Sequence, residues 1–115
     1  MHVSCQTDHE IGTAVVVSPT GNLDASGANT LWDAVTAHLS EATPSLLADL
    51  SGVEIMTSAG IGILVRLFHR VQSLGGGLVV FGAGERVREV IEVVMLTDVF
   101  QLCDTLAEAR QRLVS

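Results

Sequence analysis

The sequence predicts an α/β fold, a mostly parallel sheet of about five strands with four helices in the order β-β-α-β-α-β-α-β-α. Three observations carry this. Short runs such as Ala14-Val15-Val16-Val17 and Leu78-Val79-Val80-Phe81 are apolar at every position, as strands buried on both faces are. Between such runs lie segments whose apolar residues recur three and four apart, the mark of a helix with one buried side. Turns containing glycine, serine or proline separate the two kinds of segment.

The elements follow in order. Val3 to Gln6 reads as a short first strand and Ala14 to Val17 as a buried second one. Pro19 to Asp24 reads as a loop, with Asp24 or Ser26 capping the next helix. That helix carries Leu31, Val35 and Leu39, with Trp32 beside the stripe, and ends between Glu41 and Pro44. Ser45 to Leu50 is the next strand, interrupted by Asp49 near its C-terminal end. The helix after Ser58 places Ile61, Leu64, Val65, Phe68 and Val71 on one core-facing stripe, which leaves Ile63 and Leu67 off it as a candidate apolar contact patch. Gly75-Gly76-Gly77 turns into the strand Leu78 to Phe81, and Gly82-Ala83-Gly84 leads into a helix with Val87, Val90, Ile91 and Val94 on one face. Val99 to Leu102 reads as a short last strand. Thr105-Leu106-Ala107-Glu108 has capping-box spacing for a final helix with Leu106, Ala109 and Leu113 inward.

The bulk properties narrow the function. Residues 1–115 fit one domain, and aromatics are only 3%, so the core must be aliphatic. The net charge of −7 and the lack of any basic cluster are a poor footprint for nucleic acid or anionic lipid and suit protein partners. No apolar run is long enough to span a bilayer, and the N-terminal residues carry neither a charged leader nor an apolar h-region, so a cytoplasmic protein without direct membrane insertion is expected. Cys5 and Cys103 lie far apart with no CxxC spacing and read as reduced thiols.

In open α/β sheets ligands and partners gather beyond the C-terminal ends of the strands. Asn22, Asp24, Thr57, Ser58 and Gly82 to Gly84 fall there on this reading. Ser58 stands out: a hydroxyl between a hydrophobic segment and a helix opened by Gly60 and Gly62, at the positive end of the helix dipole, where a phosphate is favoured. Its plainer role is a helix cap, and the two glycines have a plainer role in tight helix packing. Asp24 reads as a cap before a partner contact, Asp49 as a structural carboxylate and Thr57 as a loop hydroxyl. Gly82-x-Gly84 lacks the third glycine of a dinucleotide loop, since Val87 stands there, and no GK[ST] follows. His2, His9, His38 and His69 have no metal-ligand spacing, and no cofactor is expected. Arg66, Arg70, Arg86, Arg88, Arg110 and Arg112 fall on polar helix faces and read as solvated. No nucleophile–base pair or paired carboxylates stand out, so an enzyme is not expected.

Together the Gly21-x-Leu23-Asp24 loop, the run Leu46-Leu47-Ala48-Asp49-Leu50-Ser51-Gly52-Val53, the motif Ser58-x-Gly60-Ile61-Gly62, the Gly82 turn and Leu96-Thr97-Asp98-Val99-Phe100 resemble the STAS domain family, and within it the bacterial anti-sigma-factor antagonists. The resemblance covers nearly the whole chain. It implies a partner-switching regulator that binds an anti-sigma factor, often also a serine kinase, and so releases the sigma factor. Phosphorylation of one serine ends the interaction, and a metal-dependent serine phosphatase restores it. Aligned on the glycines that serine is Ser58, with Thr57 a second candidate acceptor, and the implied docking residues are Asn22, Asp24, Thr57, Ser58, Ala59, Gly60, Gly62 and Ile63. The family's usual residue before the serine is Asp, and here it is Thr57. The alternative within the family is a non-switching STAS subunit of a lipid-transport ATPase or a stress-sensing complex. Outside it stands a small-ligand or nucleotide module using the same loops.

Overall fold

A computed structural model describes residues 1–114. Its elements are β1 (His2–Thr7), β2 (Ala14–Leu23), α1 (Ala25–Thr36), β3 (Ser45–Asp49), β4 (Val53–Met56), α2 (Ser58–Ser73), β5 (Leu78–Phe81), α3 (Glu85–Val93) and α4 (Leu106–Val114). The sheet runs β1-β2-β3-β5, with β4 paired to β2. Only β1 is antiparallel; β2–β3, β2–β4 and β3–β5 are parallel. The expected class, strand number and helix number therefore hold, but the element order differs in two places.

The first difference is β4. Val53 to Met56 shows neither a continuous apolar run nor alternation: Val53 and Met56 are buried while Glu54 and Ile55 are exposed, so no period-2 signal marks it as a strand. The second is the expected last strand at Val99 to Leu102, which is a turn. Phe100 is fully buried there, and Gln101 takes a positive φ of 50°. The segment touches the β5 edge through Val80 N–H donating to the Phe100 carbonyl (2.9 Å) and Cys103 N–H donating to the Val80 carbonyl (3.1 Å). It covers that edge without joining the sheet as a strand.

β2 is also longer than its apolar run. Pro19 to Leu23, expected as loop, continues the strand, and Asn22 lies within it. Proline is tolerated because β2 changes parallel partner there: it pairs with β3 through Val17 and with β4 only from Gly21, so no ladder hydrogen bond is asked of Pro19 on that side. α1 ends at Thr36, well before Glu41, and Leu39 reaches the core from the turn that follows, its N–H donating to the Val35 carbonyl at 3.0 Å.

Both faces of the sheet are covered, which accounts for the uninterrupted apolar strands. On one side Val15, Val17, Leu46, Ala48, Leu78 and Val80 pack under the helices α1, α2 and α3. On the other, Ala14, Leu47, Val79 and Phe81 meet Ala109 of α4, flanked by Leu106 and Leu113. Thr105 caps α4 as its spacing predicts, accepting the Glu108 N–H at 3.2 Å.

Three helix-face expectations are corrected. The buried seam of α2 is Gly60, Ile63, Leu64, Leu67 and Val71. Ile63 (4% exposed) and Leu67 (0%) are therefore core residues and form no surface patch, while Ile61, Val65 and Phe68 are the half-buried flank. Apolar residues lie on both flanks of this helix, and packing against both the sheet and α1 decides between them. In α3 only Val87 and Ile91 are buried, and Val94 lies past the helix end, exposed.

The third correction concerns Arg110, which is not solvated. Its guanidinium donates through Nη2 and Nε to the buried Asp8 carboxylate at 2.7 and 3.1 Å, and it contacts Glu10 at 3.1 Å. Asp8 also accepts the Ile11 N–H at 2.8 Å. The pair ties the β1–β2 turn to α4. Cys5 and Cys103 are free thiols, and burial pushes Cys5 up to about 11 and Cys103 upward too, which makes both poor nucleophiles.

The Arg110 guanidinium holds the Asp8 carboxyl below its usual range, its hydrogen bonds outweighing the opposing effect of burial. A depressed folded-state value contributes stability that is complete above the unfolded carboxyl range and is lost as pH falls through the folded value. Arg110→Met should therefore be less stable than the parent at pH 7, and the gap should shrink below about pH 4, where Asp8 no longer needs a counter-charge. Denaturant titrations at pH 7 and pH 3 measure it. An equal gap at both would reduce the pair to a packing contact.

Candidate functional site

Parallel pairing of β2 with β4 sets the site. Leu23 lies opposite Met56, so the chain leaves both strands side by side in the same direction. The next residues extend the match: Thr57 N–H donates to the Leu23 carbonyl at 3.1 Å, and the Thr57 hydroxyl reaches the same oxygen at 3.4 Å. α1 begins at Ala25 and α2 at Ser58, so two helix N-termini stand next to one another.

The two ends are finished differently. Asp24 caps α1, its carboxylate accepting the Gly27 N–H at 2.9 Å. Thr57 occupies the cap position of α2 but supplies no side-chain hydrogen bond to the helix, and the first turn of α2 holds no acidic residue. The first-turn N–H groups of an α-helix have no partner within the helix. Those of α2 therefore keep their donor capacity and their share of the positive dipole end, whereas at α1 a carboxylate answers it.

Ser58 is the first residue of α2 and not its cap, so the plainer reading of this serine does not hold. It is exposed, and its hydroxyl makes no hydrogen bond to any described residue. Thr57 and Asn22 are exposed beside it, Asp24 and Ala59 are half-buried, and Gly60 and Ile63 are buried. The candidate residues lie around the two helix starts, with Ile63 in the floor rather than at the surface. Gly82 to Gly84 lie outside the groove described next. Gly82 takes a φ of 73° in its turn after β5. Asp49 accepts the Ser51 N–H at 3.0 Å and the Ser18 hydroxyl at 3.4 Å, the structural role expected of it.

The two glycines of α2 have different physical reasons. A Cβ on Gly60 would stand 2.5 Å from the Leu23 carbonyl oxygen and 2.9 Å from the Leu23 and Met56 side chains. Gly60 is what lets the helix start lie on the strand ends. A Cβ on Gly62 would meet nothing within 4 Å. Gly62 instead lines a shallow groove of about 330 Å³, in which Ala25, Ala28 and Asn29 of α1 face Ala59, Gly62, Ile63 and Arg66 of α2. Farther along, the Arg66 guanidinium lies over the Trp32 ring, 4.3 Å from its centroid. Neither residue was singled out from sequence as part of a site; the only signal is that each flanks its helix's apolar stripe, which does not reveal that the two helices adjoin.

Among the described residues no group of three or more His, Cys, Asp or Glu is placed to hold a metal, and no helix is long and apolar enough to cross a membrane.

A family model described as STAS domain matches residues 5–109. The anti-sigma-B factor antagonist of Listeria monocytogenes is 24% identical over 89% of this chain and 90% of its own length. A shorter match, 33% identical over 56% of this chain, spans 57% of an anti-sigma factor antagonist homologue from Thermotoga neapolitana. Among solved structures, an anti-sigma factor antagonist from Mycobacterium paratuberculosis superposes with a TM-score of 0.82 at 28% identity, covering 99% of this chain and 96% of that one. SpoIIAA in its unphosphorylated form superposes at 0.76 with 18% identity, covering 95% of each chain. Its phosphorylated form superposes at 0.69 with 19% identity, covering 95% and 98%. At such identities the likeness to SpoIIAA is one of fold.

The glycines yield a paired prediction. Gly60→Ala should cost about 1–3 kcal/mol, since the added methyl collides with backbone. Gly62→Ala should gain about 1 kcal/mol, since an exposed helical glycine is replaced with no clash. Urea unfolding of both variants measures this. A loss of stability in Gly62→Ala would mean that the open space beside it is not real.

Proposed function

The chain belongs to the STAS domain family, and on that premise we propose that it is an anti-sigma-factor antagonist that acts by binding, with Ser58 as the switch. In its unphosphorylated state it binds an anti-sigma factor, itself a serine kinase, through the face that carries Asn22, Asp24, Thr57, Ser58, Ala59, Gly60 and Gly62. Phosphorylation of Ser58 ends that interaction, and a serine phosphatase restores it. The relatives that carry the name antagonist support this reading, as does a neighbour of the same fold that exists in unphosphorylated and phosphorylated forms.

One observation carries the proposal: an exposed, unbonded hydroxyl on the first residue of a helix whose N-terminus has no side-chain cap. A kinase can reach it. A phosphate there brings roughly −1.5 to −2 charges to the positive end of a helix, worth about 0.3–2 kcal/mol in its favour. The antagonist need not rearrange, so the penalty falls on the complex. Against a partner carboxylate about 5 Å away, repulsion at an effective dielectric of about 20 is roughly 3 kcal/mol per charge pair, or about a hundredfold in affinity.

Thr57 favours a second reading, because it lacks the acidic charge that usually accompanies the acceptor. On that reading the domain is a constitutive subunit of a larger assembly, and the protein from its native cell carries no phosphate.

With kinase and ATP, the parent should gain one phosphate localised by fragmentation to Ser58, and Ser58→Ala should gain none. Ser58→Glu should bind the anti-sigma factor at least tenfold more weakly than the parent. Full phosphorylation of Ser58→Ala would move the switch elsewhere, with Thr57→Val as the next variant to assay.

A further inference from the structure

We infer that the groove between α1 and α2 receives an apolar side chain of the protein partner with a carboxylate beside it, and that Arg66, held on Trp32, takes that carboxylate. The inference rests on the reading that a protein docks at the Ser58 face, and it adds what that partner must present.

The groove is continuous with the Ser58 face, since Ala59 and Gly62 belong to both. Its walls offer almost no polar groups beyond Asn29 and Arg66, and its floor is the buried Ile63. A nucleotide or sugar would find too few partners there, whereas an aliphatic or aromatic side chain fits.

The charge argument is more specific. The chain has six basic residues against thirteen acidic ones, so its surface as a whole selects a basic partner. Arg110 is engaged by Asp8 and Glu10, and Arg88 by Asp104. Arg66, Arg70, Arg86 and Arg112 have no carboxylate partner among the described residues, and of these four Arg66 is the one that lies over an aromatic ring. It is instead laid on an indole, 4.3 Å from the ring centroid. Stacking restrains the guanidinium and leaves its in-plane N–H fork available for a bidentate acceptor. One pre-ordered positive group at the end of an apolar groove, on a chain of net charge −7, asks for a carboxylate on an otherwise basic partner. That is a device for register and specificity, and Trp and Arg are the residue types that most often dominate an interface.

Arg66 lies eight residues along α2 from Ser58, about 12 Å at the helical rise. Its guanidinium is engaged on the Trp32 ring, and no hydrogen bond or ion pair joins Arg66 to Ser58 among the described residues. Anchoring and switching are therefore separable: Arg66 should set the affinity of the complex, and Ser58 the factor by which phosphorylation lowers it.

The test titrates parent and variants, unphosphorylated and phosphorylated, into the purified anti-sigma factor by calorimetry. Arg66→Glu should bind at least 30-fold more weakly, Arg66→Lys and Trp32→Leu several-fold more weakly, and the phosphorylation factor should be the same in all of them. Asn29→Trp, which fills the groove without changing charge, should block binding, and thermal melts check that each variant is folded. Reversing the partner's matching carboxylate to Arg should restore Arg66→Glu. If the parent binds and Arg66→Glu and Asn29→Trp bind as well as it does, the groove inference is overturned and the antagonist reading stands. If the parent itself binds no anti-sigma factor, both are overturned together.

Discussion

The carbonyl of Leu23 is the hinge of this architecture. It accepts the Thr57 N–H and so extends the parallel ladder between β2 and β4 by one residue, past the point where both strands end. Because the pairing is parallel, the two chains emerge in the same direction and each enters a helix at once. Two N-termini are thereby set side by side on one rim of the sheet. The same oxygen also limits what can follow, since it stands 2.5 Å from where a side chain on Gly60 would begin. A bare α-carbon at that position is the condition for α2 to start where it does. The position of Ser58, the lie of α2 against α1 and the groove between them follow from that contact.

Capping then distinguishes the two helix starts. Asp24 brings a formal negative charge to the first turn of α1 and uses it there. Thr57 does neither at α2, because its hydroxyl is turned back to the Leu23 carbonyl. The molecule thus has one neutralised and one open helix end a short distance apart. The electrostatics thus differ between two helices that look alike in sequence, each opened by a small polar residue and followed by alanine and glycine. Of the two helix starts, the uncapped one is the more favourable for an anion.

How far this was legible beforehand depends on what kind of signal each element leaves. Strands buried on both faces, β3 and β5, announce themselves as unbroken apolar runs, and the capping box at Thr105 is visible as spacing. Ser58, Gly60 and Gly62 are marked by residue type and order. β4 leaves no such mark, since a four-residue strand with two exposed central positions has no period to detect. The turn around Phe100 reads as a strand in sequence because its apolar residues satisfy core and edge at once. Sequence alone puts the seam of α2 on the other flank, since local periodicity offers two choices and only contact with a second helix selects one. Arg110 and Arg66 share that origin. Each looks like a solvated arginine along its own helix, and each has its partner on an element distant in sequence, Asp8 in one case and Trp32 in the other.

On the proposed switch at Ser58, Thr57 would bear on how a phosphate is received. An acidic residue at the α2 cap position would both cap the helix and place a negative charge next to Ser58 before any phosphate arrives. The cap would lower the donor capacity left for the phosphate, and the charge would repel it. With threonine there, neither opposing effect is present, and the free first-turn N–H groups are at their most receptive to an anion. The phosphorylated form should accordingly be more stable relative to the unphosphorylated one than in a chain with an acidic cap. On the proposed switch, a phosphate on Ser58 would turn a neutral Thr57–Ser58 corner dianionic, and that contrast would be starker than beside an acidic cap on a chain of net charge −7.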